Sequence, residues 1–281
     1  MDIITRQNKT GSASGLRDFD VLSLIEQMTI RCMNDVSVAI RNVEREIQLP
    51  PHLFDMLNKS ELSCRRLVSR INGLVEVFGR DGRGGRLSIA SYDLNQFFST
   101  LVEQINIGLS DKTGGIVKFS LHKDTSESAS FDARRVCTIL YHLIANAIEH
   151  GGTDNKNINI KCRVSNNILE IAVQDHGNGI SESAAELLRG EREPEFRLES
   201  QNIGAFPPYI GGMGFAVCKK LAADMNGKID FKNYITGARF TLKIPQKTNR
   251  VHLTRDFRPD NRLFSICMAP VFMLYNKEDK K

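Results

Sequence analysis

The stretch Ile168-Leu-Glu-Ile171-Ala-Val173-Gln-Asp175-His-Gly177-Asn-Gly179 alternates apolar and other residues, then stops on a carboxylate followed by two glycines. Alternation with period two marks a strand that buries one face, here Leu169, Ile171 and Val173, and the glycines mark the turn that ends it. Upstream, Leu143-Ile-Ala-Asn146-Ala-Ile-Glu-His150 closes a segment in which Val136, Ile139, Leu140, Leu143 and Ile144 fall on one side of a helix. Downstream, Gly211-Gly212-Met-Gly214-Phe215 opens a second helical stretch. Taken singly, each of these reads equally well as a surface turn or a polar helix face. Together they set a polar helix residue, a carboxylate at a strand end and a glycine-rich helix start in one unit. The order and spacing of the three carry more weight than any one of them.

The rest of the chain sets loose bounds. At 281 residues with 41% hydrophobic and 25% charged content, the composition is that of a soluble globular protein with room for two units. The net charge of +5 is not gathered into Lys/Arg runs, and no nucleic-acid partner is expected from it. Six cysteines (32, 64, 137, 162, 218 and 267) lie without any Cys-x-x-Cys pair, mostly among apolar neighbours. Free thiols in such settings behave as small hydrophobes, which suits a reducing cytoplasm and argues against zinc. Met1 to Gly15 is polar, unlike a signal peptide, and no window supplies the apolar residues of a transmembrane segment.

A first helix is expected from about Asp18 to Ile47, where Leu22, Ile25, Thr29, Cys32, Val36, Ile40, Val43 and Ile47 recur at three- and four-residue steps. Pro50 and Pro51 break it, since proline lacks the amide donor and restricts the residue before it. A second stripe, with Leu53, Leu57, Leu67, Ile71, Leu74 and Phe78, runs to the glycine-rich stretch Gly79 to Gly85. Two helices alone bury little of such stripes, and a heptad-like hairpin completes its core by pairing with another copy as a four-helix bundle; packing on its own C-terminal domain is the alternative. Beyond the glycines the pattern mixes helix and strand: a helix over Asp93 to Gly108, a strand over Ile116 to His122, a helix over Asp132 to His150. Strands follow near Ile158 to Val164 and Ile168 to Gln174, then a helix over Phe215 to Met225 and strands near Lys228 to Phe231 and Ala238 to Ile244. The fold class is α+β, a helical hairpin followed by a two-layer α/β sandwich. The expected division is 1–17 as a flexible N-terminus, 18–85 as the dimerisation hairpin, 86–246 as the ligand-binding domain and 247–281 as a C-terminal extension. In that extension the apolar run Leu263 to Tyr275 is expected to pack as an added strand or buried segment, being too short to span a bilayer.

From Asp18 to Pro245 the chain resembles the catalytic core of sensor histidine kinases, on the three motifs just quoted and on Thr236-Gly-Ala-Arg-Phe-Thr241-Leu-Lys-Ile-Pro245. The ATP-binding half of that family is shared with gyrase-type topoisomerases and anti-sigma kinases. The resemblance implies Mg-ATP as ligand. It makes Asn146 the magnesium ligand, a neutral oxygen donor suited to a hard cation. Asp175 becomes the acceptor of the adenine amino group, and Gly177 and Gly179 let the backbone approach base and sugar. Gly212 and Gly214 become the phosphate-binding box, His150 a flat ring beside the adenine, and Thr241 a polar contact near it. His142 takes the first polar position of its box, where hydrolysing relatives carry a glutamate, so free ATP hydrolysis should be slow; a neutral imidazole there can still orient a water.

Three departures matter. Ile210 stands where the family carries a further glycine, and Glu149 where many members carry a phosphate-contacting lysine. The first hairpin helix also has no histidine: the first in the chain is His52, after the proline pair. Met33-Asn34-Asp35 is similar to the family's Met-Ser-His, and spacing alternatively favours a position near Gln27, but neither offers an imidazole. The resemblance therefore implies an ATP-binding, histidine-kinase-like signalling protein of a two-component-type pathway without self-phosphorylation on a hairpin histidine. It would work as a homodimer with a response regulator or other signalling protein. The alternatives are an active histidine kinase with an unorthodox acceptor and an anti-sigma-type Ser/Thr protein kinase.

Overall fold

In the computed structural model, the described residues are 87–109, 117–150, 157–189, 213–246 and 254–261. To these are added 29, 31, 34–36, 38–43, 50–54, 56–57, 60–61, 68, 263–265 and 267–268. The expected hairpin falls largely outside them. Its described residues between 29 and 43, and between 51 and 68, are helical. The amides of Leu53 and Phe54 donate to the Pro50 carbonyl at 3.0 and 3.1 Å, so the proline pair that ends the first stripe also starts the second helix. Proline is suited to a first turn, where its missing donor would have no helical partner. The glycine-rich stretch 79–85 and the N-terminal 1–17 lie outside the described residues.

The remaining elements run in the order β1 (Ile89–Asp93), α1 (Leu94–Gly108), β2 (Val117–Leu121), β3 (Ser128–Asp132), α2 (Ala133–His150), β4 (Ile158–Ser165), β5 (Ile168–Gln174), α3 (Glu182–Arg189), α4 (Met213–Asp224), β6 (Lys228–Asn233) and β7 (Ala238–Pro245). Five strands form one sheet in the order β2-β4-β5-β7-β6, with β2 parallel to β4 and the other neighbours antiparallel. The short strands β1 and β3 pair with each other as a separate antiparallel ribbon. The mixed sheet covered by helices agrees with the expected two-layer sandwich. β1, β3 and α3 add to the elements read from the sequence.

The central strand shows how the pattern becomes packing. Along β5 the burial alternates, with Leu169, Ile171 and Val173 within the core and Glu170, Ala172 and Gln174 partly exposed. On β7, Leu242 and Ile244 join the same face. Above them α2 lays down Val136, Ile139, Leu140, Leu143 and Ile144, each at most 1% exposed. Burying one such side chain stabilises by about 1.5–3 kcal/mol. The β4–β5 hairpin turns through Asn166 and Asn167, both at positive φ, as a two-residue turn of the favoured primed type requires. Helix α4 ends with Asn226 at positive φ, while the amide of Gly227 returns to the Ala222 carbonyl and that of Asn226 to Ala223. This double return satisfies the last carbonyls of the helix.

Asp132 anchors the start of α2. Its Oδ1 accepts from the amide of Arg135 at 3.1 Å, capping the helix, while its Oδ2 accepts from the Arg135 guanidinium at 2.7 Å and from the amide of Ser88 at 2.9 Å. Both side chains are nearly sealed from solvent, at 4% and 6% exposure. Removing one partner of a buried pair leaves the other charge uncompensated. Asp132→Ala is therefore expected to lower unfolding stability by about 3–5 kcal/mol. Denaturant melts should show a lower midpoint at an unchanged slope; a loss under about 1 kcal/mol would show that the pair is structurally idle.

The described part of the C-terminal extension packs on the helical layer. The amide of Arg255 donates to Ser91 at 2.8 Å, and the Phe257 ring centroid lies 4.1 Å from that of Phe97. Gln96 both donates to and accepts from the backbone of Phe257. Leu263, Cys267 and Met268 are buried, so this part of the apolar run is core. Cys137, Cys162 and Cys218 are buried too, and desolvation raises each thiol pKa, that of Cys162 to about 12. They behave as small hydrophobes, as their neighbours suggested. Cys32 and Cys64 lie outside the described residues.

Candidate functional site

Asp175 stands one residue past the end of β5 and continues the core-facing register of Leu169, Ile171 and Val173. Its carboxylate does not stand free. Oδ1 accepts from the amide of Gly177 at 3.0 Å, an Asx-type turn within the motif, and from the amide of Ala238 at 3.1 Å on the next strand. The backbone amide of Asp175 donates in turn to the Ala238 carbonyl at 3.0 Å. One carboxylate oxygen is thus fixed by two amides, and the other is left to accept from a ligand.

This arrangement depends on a residue that the sequence reading passed over. Gly237 has φ +85°, and a Cβ built there would lie 2.2 Å from the Asp175 carbonyl oxygen and 2.7 Å from Oδ1. Only glycine lets the β6–β7 turn come so close. Gly179, at φ +75°, forms the other side of the loop. There Asn233 takes the amide of Ile180 on its Oδ1 at 2.9 Å and gives its Nδ2 to the Ile180 carbonyl at 2.7 Å. The side chain imitates a rung of a ladder and ties the glycine loop to β6. His176, inside the motif, shares a 3.0 Å hydrogen bond with Asn159 of β4. Gly237 was signalled by Thr-Gly-Ala between two strands, a turn pattern; Asn233 carried no sequence signal.

The second half of the site rides on α2. His142 and Asn146 are one turn apart and therefore share a helix face. His142 is buried, and a methyl group on Gly214 would lie 3.7 Å from its Nδ1. The first turn of α4 thus meets the polar face of α2, which brings His142 and Gly214 together. Asn146 is half-buried. The side chains of Glu149 and His150, and Gly212 as a whole, lie outside the described residues.

Thr241 is the residue that the structure does not gather with the others. On β7, Ala238, Leu242 and Ile244 are buried on the helix side, which gives Thr241 the opposite parity, with Arg239 and Lys243. It pairs with Ala172 and lines an open groove on the far face of the sheet. The thickness of the sheet separates it from the Asp175 loop. Strand alternation assigns the approach to Asp175 to Ala238 instead, through its amide.

The domain is therefore a mixed sheet with one face under helices, a pinned strand-end carboxylate and a glycine-led helix facing a polar helix turn. Residues 131–248 match the family described as histidine kinase-, DNA gyrase B-, and HSP90-like ATPase. Over 192 residues the chain is 28% identical to the signal transduction histidine-protein kinase BarA of Escherichia coli, which covers 66% of this chain and 20% of BarA. It is 27% identical over 191 residues to the sensor-like histidine kinase SenX3 of Mycolicibacterium smegmatis, covering 67% of this chain and 47% of that protein. The chain thus spans from a fifth to about half of these relatives. Two solved structures share the fold: the Acinetobacter baumannii histidine kinase AdeS (TM-score 0.50, 20% identity, 79% of this chain and 97% of that one) and full-length ShkA in complex with AMPPNP (TM-score 0.53, 18% identity, 85% and 47%). Residues 131–248 are thus similar to the ATPase domain of this family, and the longer matches are to sensor histidine kinases. No helix among the described residues is long and apolar enough to cross a membrane.

Proposed function

We propose that this chain is an ATP-binding, histidine-kinase-like signalling protein that does not phosphorylate itself on a hairpin histidine. The observation that carries the ATP reading is the Asp175 carboxylate, fixed through one oxygen by the amides of Gly177 and Ala238. A fixed acceptor at the end of a core strand selects adenine, whose exocyclic group is a donor, over guanine, which offers a carbonyl there. Asn146 would hold magnesium together with the phosphates, and the ion would neutralise charge on the triphosphate. Gly214 and Gly212 would contribute main-chain amides to phosphate oxygens, His142 would support that face from beneath Gly214, and His150 would flank the base.

The first hairpin helix offers no phosphate acceptor of the family's kind. Transfer needs a nucleophile held near the terminal phosphate, and neither Asn34 nor Gln27 has one of imidazole's strength. A domain that binds nucleotide without an acceptor still has two states to offer a partner, bound and free. The partner class is a response regulator or another protein of a two-component-type pathway, in keeping with the signalling kinases among its relatives. The hairpin 18–85 would join two copies through its stripes, and the setting would be the cytoplasm.

Incubation with γ-labelled ATP tests this. The chain alone is expected to take up no acid-labile phosphate after separation at neutral pH, while binding ATP in parallel calorimetry. A labelled band that disappears on replacing His52 would establish an active kinase with an unorthodox acceptor instead.

A further inference from the structure

The face of the five-stranded sheet turned away from the helices carries a feature that the nucleotide site does not use. An open groove of about 790 Å³ lies on it, with five cationic side chains and two carboxylates among its lining residues. The strand register shows its form. Ser120, Lys161, Ala172 and Thr241 stand side by side on β2, β4, β5 and β7 as one row across the sheet. Three of the four are small, and they make a low floor. Two residues along each strand, Arg163, Glu170 and Lys243 form a parallel row and one wall. Two residues the other way, Gln174 and Arg239 form the opposite wall.

The charge continues past the groove. Exposed Lys118 and Lys232 extend the Arg239 row, and Lys228 extends the Lys243 row. The carboxylates offset part of this charge and leave an excess. Glu170 pairs with Arg163 and Lys243, Asp230 at the β6 end of the floor row pairs with Lys243 and Lys228, and Asp124 lines the β2 end. Against them stand the remaining cations Lys118, Lys123, Lys161, Lys232 and Arg239. Lys161 is exposed in the floor row, and Arg239 is held upright by Gln174 and by stacking 4.7 Å over the Tyr234 ring.

We propose that this trough is a docking site for an acidic segment of a partner protein, bound in extended form across the strands. Four strands spaced about 4.8 Å apart give a floor about 14 Å long, which matches four to five residues of extended chain. The walls stand four residues apart, about 13 Å, so side chains alternating left and right along such a segment meet a cationic row on each side. Carboxylates are the fitting groups, because Arg163, Arg239 and Lys243 line both walls with donors. A second copy of this chain does not fit, since two such faces repel. Nucleic acid fits less well, because Glu170 sits in one wall and, among the lining residues, His122 is the sole ring for a base to stack on.

The test uses the full chain and a fluorescein-labelled hexapeptide of alternating Asp and Glu, read by anisotropy. Saturable one-to-one binding is expected, weaker at higher salt. Ala172→Arg decides between docking and general attraction: it adds a cation but fills the floor, and is expected to weaken binding at least tenfold. Lys161→Glu, on an exposed position, should do the same, whereas Arg258→Glu on the C-terminal segment should change binding less than twofold. Far-UV circular dichroism checks that each variant is folded. Binding unchanged or tightened by Ala172→Arg, equal weakening by Arg258→Glu, or no binding of the peptide would overturn the proposal. Tighter binding of labelled hexathymidylate or of phosphatidylserine vesicles would overturn it in favour of a polyanion or membrane surface. None of these outcomes depends on whether the opposite face of the domain binds ATP.

Discussion

Asp175→Asn is expected to bind ATP about 10- to 150-fold more weakly than the unchanged protein, the equivalent of losing a hydrogen bond to a charged group worth about 1.5–3 kcal/mol. The size of the effect follows from the way the side chain is held. Its Oδ1 accepts from two amides, those of Gly177 and Ala238. An asparagine must keep its single oxygen there, or else point its amino group at two donors. The amino group is then forced to the outer position, where adenine also presents a donor. The same geometry predicts a second, opposite change: guanine, with a carbonyl at that place, should lose less affinity or gain some, so the preference for ATP over GTP narrows. Calorimetric titration of both nucleotides with magnesium checks this. Unchanged ATP affinity in the variant would remove Asp175 from the nucleotide site, and failure of the unmodified chain to bind ATP would remove the nucleotide site altogether.

How far such geometry could be read from the chain depends on which forces shape it. β5 and α2 were legible because each buries one face, and burial writes a period of 2 or 3.6 into the residues. β1 and β3 were not: Ile-Ala-Ser-Tyr-Asp and Ser-Ala-Ser-Phe-Asp are short and half polar, and pair with each other. What holds them is tertiary, the Ser88 amide on Asp132 and the packing of Tyr92 against Phe131 and Phe257. Helix α3, of eight residues, is too short for its stripe to stand out.

The site divides in the same way. Asp175, Gly177 and Gly179 are contiguous and were visible as a motif, whereas the contacts that fix them come from Asn233, Gly237 and Ala238, more than fifty residues on. Thr241 shows the hazard of reading a site residue by resemblance alone. It lies three positions after Ala238, an odd number, and on a strand every odd step changes face. The polar residue assigned to the adenine therefore faces the groove on the other side of the sheet. The buried polar network around Asp132 was equally hidden, since an aspartate before a helix reads as a cap and says nothing of a guanidinium folded back onto it.

Gly237→Ala should cost the domain about 3–4 kcal/mol of stability and, in whatever fraction remains folded, most of its ATP affinity. Two costs add. A residue with a Cβ held at φ +85° pays about 1–2 kcal/mol for the left-handed backbone. The new methyl group also meets backbone: the Asp175 carbonyl oxygen at 2.2 Å and its carbon at 2.6 Å, neither of which can rotate away as a side chain would. The turn must retreat, and in doing so it gives up the reciprocal bonds between Asp175 and Ala238, about 1 kcal/mol each. One of the two, from the Ala238 amide to Oδ1, orients the carboxylate, so stability and nucleotide affinity fall together. A mere loss of fold predicts otherwise, because below the melting transition the folded fraction of a destabilised protein would still bind with its original affinity. Thermal melts paired with titration at a temperature where the variant is folded separate the two. Full ATP affinity in a folded Gly237→Ala would show that the β6–β7 turn supports the sheet and leaves the orientation of Asp175 to the Gly177 amide alone.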